Sequence, residues 1–183
     1  MTKGLAILVA KLDGITARIG RSTAWLSVLM VLLMFLVVVL RHAFNLGSIA
    51  LQESITYLHA TLFICVSAYT LGNDGHVRVD VFYRGFSERR KAWVNCFGVL
   101  FFLFPIVGAL AWYSFDYVAA SWRIGEGSRE AGGIPALYLM KSLILIFVLL
   151  FFIQGISELL RNMLILLNKE RVLYKKDEQG GLL

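Results

Sequence analysis

Four long apolar stretches dominate the pattern of hydrophobic and polar positions along this chain of 183 residues. They cover about 22–41, 51–72, 92–115 and 135–157, and the charged residues within them lie near their ends. Each stretch has the ~20 residues that a helix needs to cross ~30 Å of hydrocarbon. Because the backbone in lipid must satisfy its own hydrogen bonds, helices are favoured over open strands. The pattern predicts an all-α integral membrane protein whose transmembrane domain, residues 22–161, contains four helices.

The segment before the first span, residues 1–21, has a different pattern. Its large apolar residues recur at helical spacing, and its basic residues project elsewhere. The apolar stripe consists of Leu5, Leu8, Leu12, Ile15 and Ile19. This pattern predicts a short amphipathic helix in the membrane interface. A cleaved signal peptide is the alternative, but the apolar run after Arg21 is too long for a signal core and no small-residue cleavage site follows it.

Composition excludes most soluble classes. Hydrophobic residues make up 58% of the chain and charged residues 16%, against about 25% charged in average soluble domains. The connections between spans are too short for a soluble catalytic domain, so we expect no enzyme activity and no cofactor. The net charge of +6 is interpreted as a topology signal and not as a nucleic-acid surface. Both cysteines, Cys65 and Cys96, lie in apolar runs and are expected to be packing residues.

Lysine and arginine are distributed unevenly between the two sides. The N-terminal segment has four, the second connection has five, and the polar tail, residues 162–183, together with Arg161 has five. The opposite side has only Arg41, Arg123, Arg129 and Lys141. Because positive residues concentrate on the cytoplasmic side, the pattern predicts that both termini and the second connection are cytoplasmic.

The second connection contains the unusual stretch GNDGHVRVDVFY, residues 72–83. A metal site built on Asp74, His76 and Asp80 is one interpretation, but the spacing fits no common metal loop. The alternation favours an extended strap, with its valines on an apolar surface and the polar side chains of His76, Arg78 and Asp80 facing protein. Helix capping and contact with lipid headgroups are the alternative roles for these three residues.

Two histidines leave a second function class open. His42 lies just after the end of the first predicted span, and His59 lies near the start of the second, which is on the same side of the membrane. A haem with two histidine ligands is therefore an alternative. The protein would then be a membrane anchor subunit of a respiratory enzyme. Membrane cytochromes usually hold such ligands within the bundle, and interface placement of His42 and packing of His59 are the simpler interpretations.

The third connection combines aromatic and charged residues on the outer side. Trp122, Arg123 and Glu126 suit a transient, electrostatically steered contact with another protein. An internal Arg123–Glu126 ion pair that only holds the loop together is the alternative.

Two charges lie within spans, close to the same membrane level. Glu53 is near the start of the second span, and Lys141 is about two turns into the fourth. Pairing would offset much of the free energy that each charge costs in a partly dry site. We therefore expect a Glu53–Lys141 ion pair, with Asp116 as a competing partner for Lys141, or else separate contacts to water, headgroups or a partner.

Several motifs in order resemble one family of membrane proteins. Gln52-Glu53 opens the second span, GHVRVDVFY follows that span, and SWRIGEGSREAGGIPALYLMKS, residues 121–142, joins the last two spans. This combination resembles the DctQ-like small membrane subunit of tripartite ATP-independent periplasmic (TRAP) transporters. The resemblance extends from the first span to about Arg161.

The resemblance implies a function that the residues alone do not. In such systems a periplasmic binding protein delivers an organic acid to a large membrane subunit, which carries it inward on a sodium or proton gradient. The small subunit is a scaffold for the large one, here expected to be a separate chain, in the cytoplasmic membrane of a bacterium or archaeon. Partner contacts are then expected at Glu53, His76, Arg78, Asp80, Trp122, Arg123, Glu126 and Lys141.

Overall fold

The computed structural model describes residues 2–76 and 80–167, and this part of the chain is helical without strands. In chain order the helices are α1 Thr2–Ala24, α2 Leu26–Ala43, α3 Ile49–Gly72, α4 Asp80–Tyr83, α5 Glu88–Gly98, α6 Phe104–Ile124 and α7 Leu137–Leu166. A π-helical turn, Val99–Leu103, joins α5 to α6. Four stretches are long and apolar enough to cross a membrane: Lys3–Ala43, Ile49–Gly72, Glu88–Ile124 and Leu137–Leu166. For the described residues, the predicted all-helical architecture is confirmed, with four helical stretches that are able to span a membrane.

The N-terminal segment is helical, as α1, but the face that packs is not the predicted apolar stripe. The side chains of Val9 and Thr16 and the backbone at Gly20 are buried where α1 contacts α3 and α7. Leu8 and Ile15, two members of the predicted apolar stripe, are exposed instead. The contact therefore uses small and polar positions, which allow close approach, and leaves part of the leucine stripe on the outside.

The four spans form a row and not a closed bundle. In the described part of the chain, α3 and α7 pack against each other, α2 packs mainly against α3, and α5 and α6 pack against α7. The central cluster contains Cys65 and Ala68 of α3, Val107 of α6, and Leu150 and Phe151 of α7. Because α2 and α6 each have one neighbouring span, both expose wide apolar faces.

Pro105 changes the hydrogen bonding of the third span. A proline has no N–H and its ring clashes with the carbonyl four residues earlier, so proline usually kinks a helix. The structure places the π-helical turn directly before it, where the N–H of Phe104 bonds to the carbonyl of Val99. This wider turn absorbs the lost bond, and the helical run continues from Glu88 to Ile124.

The helix starts differ slightly from the predicted span limits. The fourth span was predicted from residue 135, but α7 begins two residues later, at Leu137. Ser87 directly precedes α5, and its side chain makes no capping hydrogen bond. The other end of the third span is defined by Gly125, whose left-handed backbone (φ 57°) terminates α6.

Candidate functional site

The predicted partner-contact residues divide between the two ends of the row of helices. Glu53, Trp122, Arg123, Glu126 and Lys141 lie at the end that carries the 125–136 connection, which we call the loop end. His76 lies at the opposite end, where α1 crosses, which we call the α1 end. Asp80 is the first residue of α4 at that end, and Arg78 falls outside the described residues.

Glu53 fastens the 125–136 connection onto α3. One carboxylate oxygen accepts a hydrogen bond from the Ser128 hydroxyl, and the other accepts one from the Ile134 backbone N–H at 2.6 Å. The backbone N–H of Ser128 in turn donates to the carbonyl of Ile134 at 3.0 Å. A side chain at Gly133 would collide with both Ser128 and Glu53. The connection is therefore closed tightly around the Glu53 carboxylate.

Lys141 pairs with Glu126, which makes the predicted Glu53–Lys141 ion pair wrong. The Lys141 ammonium donates to the Glu126 carboxylate and lies 4.0 Å from the centre of the Tyr117 ring. Glu126 is consequently not held by an Arg123 pair, the alternative considered for this loop. The hydrogen bond from Lys141 lowers the pKa of the Glu126 carboxyl below its ordinary value. The ion pair joins the end of α6 to the first turns of α7.

Trp122 strengthens the same junction. Its indole N–H donates to the Ser142 hydroxyl at 2.8 Å, and its ring centre lies 4.6 Å from that of Tyr138. About half of the Trp122 surface is nevertheless exposed. Arg123 and Arg129 beside it are exposed as well. The loop end thus presents an aromatic and basic surface on a connection that is fixed from beneath.

A network of buried and half-buried polar side chains fastens the α1 end, with Asp13 at its centre. The Asp13 carboxylate accepts hydrogen bonds from Gln154 at 3.1 Å, Ser157 at 2.6 Å and Arg161 at 2.6 Å, all on α7. Thr16, one turn further along α1, donates to the Gln154 side-chain oxygen at 2.7 Å. Gln154 and Ser157 are fully buried. α1 is therefore bound to α7 by hydrogen bonds to a charged group, which are stronger than neutral ones.

The network continues from Arg161 towards α3 and α5. Arg161 also donates to the carbonyl of Gly72 at 3.3 Å and to Glu158 at 3.1 Å. Beyond it, the buried Asn162 accepts a hydrogen bond from Asn95 of α5 at 3.2 Å. Four helices, α1, α3, α5 and α7, are thus connected by side chains at this end.

This network was not predicted from the sequence, although two features of the sequence indicate it. Asp13 is the only acidic residue in the basic segment 1–21. Gln154, Ser157, Glu158 and Arg161 follow the spacing of one helical face at the end of an apolar run.

The segment after α3 folds back and is not extended where it is described. Asp74 has a left-handed backbone (φ 57°), and the N–H of Gly75 returns to the carbonyl of Thr70 at 2.9 Å. The Nε2 atom of His76 is 3.1 Å from the carbonyl oxygen of Ser67. Residues 80–83 form the helical turn α4, and Val81 is exposed instead of packed. The predicted extended strap is therefore wrong for residues 73–76 and 80–83, whereas its valines 77 and 79 lie outside the described residues.

The two histidines considered for haem are not placed like buried ligands. His42 is exposed, with Nδ1 3.0 Å from the Val38 carbonyl oxygen, and His59 is exposed on α3. Among the residues that the structure describes, no group of three or more His, Cys, Asp or Glu side chains is arranged to hold a metal ion.

Comparison with known proteins gives one family. The family model described as "Tripartite ATP-independent periplasmic transporters, DctQ component" matches residues 30–164. These residues include the second and third spans and the 125–136 connection in full, and most of α2 and α7. No curated protein and no solved structure matches the chain.

Proposed function

The chain belongs to the family of DctQ components of tripartite ATP-independent periplasmic transporters, and from this premise we propose that it is a fixed scaffold for the large membrane subunit. It is a small membrane subunit of such a transporter. The expected cargo is an organic acid, delivered by a periplasmic binding protein and carried inward on a sodium or proton gradient. The large subunit and the binding protein are the partners that the family implies, together with membrane lipid.

The fastening of both helix ends is the observation that carries the scaffold role. At the loop end, Glu53 and the Glu126–Lys141 pair bind the connection to α3 and α7. At the α1 end, Asp13 and Arg161 join α1, α3 and α7. A subunit that changed shape during each transport cycle would have to break these charged contacts repeatedly. A subunit that supports a moving partner benefits from keeping them.

Assembly with the large subunit tests this role. Affinity-tagged chain, co-expressed with the large subunit of its own transporter, should retain that subunit through purification in mild detergent. If the large subunit never accompanies a well-inserted small subunit, the scaffold role is refuted. The family match does not support the respiratory-anchor alternative. An absorbance spectrum of the same preparation tests that alternative, because a bound haem would absorb in the visible range.

The orientation that we propose places the α1 end in the cytoplasm and the loop end outside. It rests on the uneven distribution of Lys and Arg. Single cysteines at the exposed positions Arg129 and Arg89 provide the test in sealed cells, after the native Cys65 and Cys96 are replaced. A membrane-impermeant maleimide should label position 129 and leave position 89 unlabelled. Labelling of 89 alone would reverse the orientation.

The loop end is the proposed docking surface for the binding protein. Trp122 and Arg123 are exposed, and Arg129 adds a second positive charge nearby in the sequence. Glu126 is already paired within the subunit, so Arg123 is the better probe of docking. Arg123→Glu should reduce uptake when binding protein is scarce and have less effect at saturation, because charge mainly affects association rates. Arg89→Glu, on the opposite end, is the matched control; equal uptake by both variants at every concentration would reject docking at this surface.

For the α1 end, we propose that Arg78 and Asp80 contact the large subunit. In the sequence, both residues follow the turn that His76 fastens to α3. Arg78→Ala should weaken co-purification of the large subunit while insertion of the small subunit stays normal. Unchanged co-purification and uptake would leave only capping and headgroup contacts.

A further inference from the structure

One face of α3 carries polar side chains that no neighbouring helix covers. Gln52, Thr56, His59 and Phe63 are spaced by four, three and four residues, so they lie along one side of the helix. All four are exposed, and Phe63 keeps 65% of its surface. The side chains of Gln52 and His59 make no hydrogen bond to the described part of the chain. We call these four residues the α3 face.

His59 lies close to the middle of α3, whereas it was predicted to lie near the start of its span. α3 begins at Ile49 and has 24 residues, so His59 is its eleventh. At ~1.5 Å per residue, the histidine is about 15 Å from the start of the helix, close to its midpoint. Lipid cannot satisfy the hydrogen bonds of an imidazole at such depth, so an imidazole that faces hydrocarbon there is unfavourable.

The exposed faces of α2 and α7 have a different composition. α2 exposes Val31, Leu32 and Phe35, and α7 exposes Ile146 and Leu149. These aliphatic and aromatic surfaces suit lipid acyl chains. The α3 face is more polar than these two surfaces, and intramembrane polar groups usually face protein.

The chain itself covers the continuation of the α3 face. The same spacing leads to Val66 and Thr70, and there the turn after α3 folds back onto the helix. The N–H of Gly75 bonds to the Thr70 carbonyl, and the His76 ring approaches the Ser67 carbonyl. Only the part from Gln52 to Phe63 remains open, a length of about three helical turns.

We propose that a transmembrane helix of the large subunit packs against the α3 face, with hydrogen-bonding side chains opposite Gln52 and His59. Thr56 lies between these two, and its small side chain permits the close backbone approach typical of helix pairs in membranes. This inference rests on the proposed function, because that function supplies a membrane partner with many helices. It adds which helix of the small subunit is covered and by what chemistry.

Site-specific photo-crosslinking in membranes that contain both subunits tests the proposal. p-Benzoylphenylalanine replaces Thr56 or His59 in two variants, and Val31 of α2 or Leu149 of α7 in two matched controls. Light should produce an adduct with the mass of one small and one large subunit from positions 56 and 59, and little from 31 and 149. An adduct with a second copy of this chain, with lipid alone, or with the large subunit only from the control positions would overturn the proposal.

A steric variant gives a second, independent measurement. Thr56→Trp should weaken association with the large subunit about tenfold, whereas Val31→Trp should leave it unchanged, because overpacking acts only where a partner is in contact. Amounts of inserted small subunit are measured in parallel. Equal retention of the large subunit by both variants refutes the α3 face as the contact but leaves the scaffold role intact. Failure of the unmodified chain to retain the large subunit refutes the scaffold role itself.

Discussion

Gly20 and Gly14 of α1 provide a matched pair of substitutions for the contact between α1 and α3. A Cβ atom added at Gly20 would lie 2.6 Å from the Cβ and 2.8 Å from the Cγ of Tyr69 on α3, whereas one added at Gly14 meets nothing within 4 Å. Relief of the clash needs a separation of about 0.8 Å, because ordinary contact begins near 3.4 Å. The rigid base of the tyrosine side chain cannot move away without the helix.

The free-energy cost of the clash is obtained by comparing Gly20→Ala with Gly14→Ala. Alanine favours a helix interior over glycine by about 1 kcal/mol, but this term is common to both variants and cancels. The remaining difference is the overpacking penalty at Gly20, about 1–3 kcal/mol. If α1 separates from the row as a unit, the open population should differ about 5- to 150-fold between the variants.

A cysteine at Val9 reports this opening, because Val9 is 3% exposed on the packed face of α1. Maleimide labelling of Val9→Cys should be faster in Gly20→Ala than in Gly14→Ala by the factor above, since labelling follows the open population. Leu8, the preceding residue, is already exposed, so Leu8→Cys should label quickly in both backgrounds. Equal protection of Val9→Cys in the two variants would show that α1 does not depend on a close approach at Gly20.

Two further predictions concern the charged contacts at the two ends. Asp13→Asn should lower the midpoint of thermal unfolding in detergent, because a hydrogen bond to a charged group contributes about 1.5–3 kcal/mol; Lys11→Gln on the same helix should change it little, and equal midpoints would contradict the network. The folded-state pKa of Glu126 is lowered by Lys141, so the stabilisation from this pair is present above the unfolded pKa of about 4.3 and is lost as the pH falls through the folded value. The difference in unfolding midpoint between the native chain and Glu126→Gln should therefore be constant near neutral pH and shrink in acid, whereas a difference independent of pH would show that the pair does not titrate.

The helices could be predicted from sequence because lipid imposes a strict rule on length and polarity. Each apolar run of about 20 residues had to become a helix, and the described structure contains all four. The exact ends of the helices were harder to predict from the sequence. α7 starts two residues after Pro135, because the loop is fixed by a long-range bond between Ile134 and Glu53 that no local pattern reveals.

The polar contacts were harder to predict because pairing depends on which residues the fold brings together. Glu53 and Lys141 are at a similar level, yet each has a nearer partner in the 125–136 connection. His59 was predicted to lie near the start of its span. It is the eleventh of the 24 residues of α3, which begins at Ile49, two residues before the predicted start. The spacing of residues within this chain does not identify which of them contact a separate subunit. The exposure of the α3 face was therefore seen only in the packing of the helices.

Reconstituted transport tests directly whether this chain is the fixed scaffold of a gradient-driven transporter. Proteoliposomes would contain the large subunit with the native chain, with the Asp13→Asn chain, or with no small subunit. They would be supplied with binding protein, its organic acid and an inward ion gradient. Full gradient-dependent uptake is expected with the native chain, and uptake reduced in proportion to the loss of assembled complex is expected with the variant. Full uptake by the large subunit without this chain would refute the scaffold role.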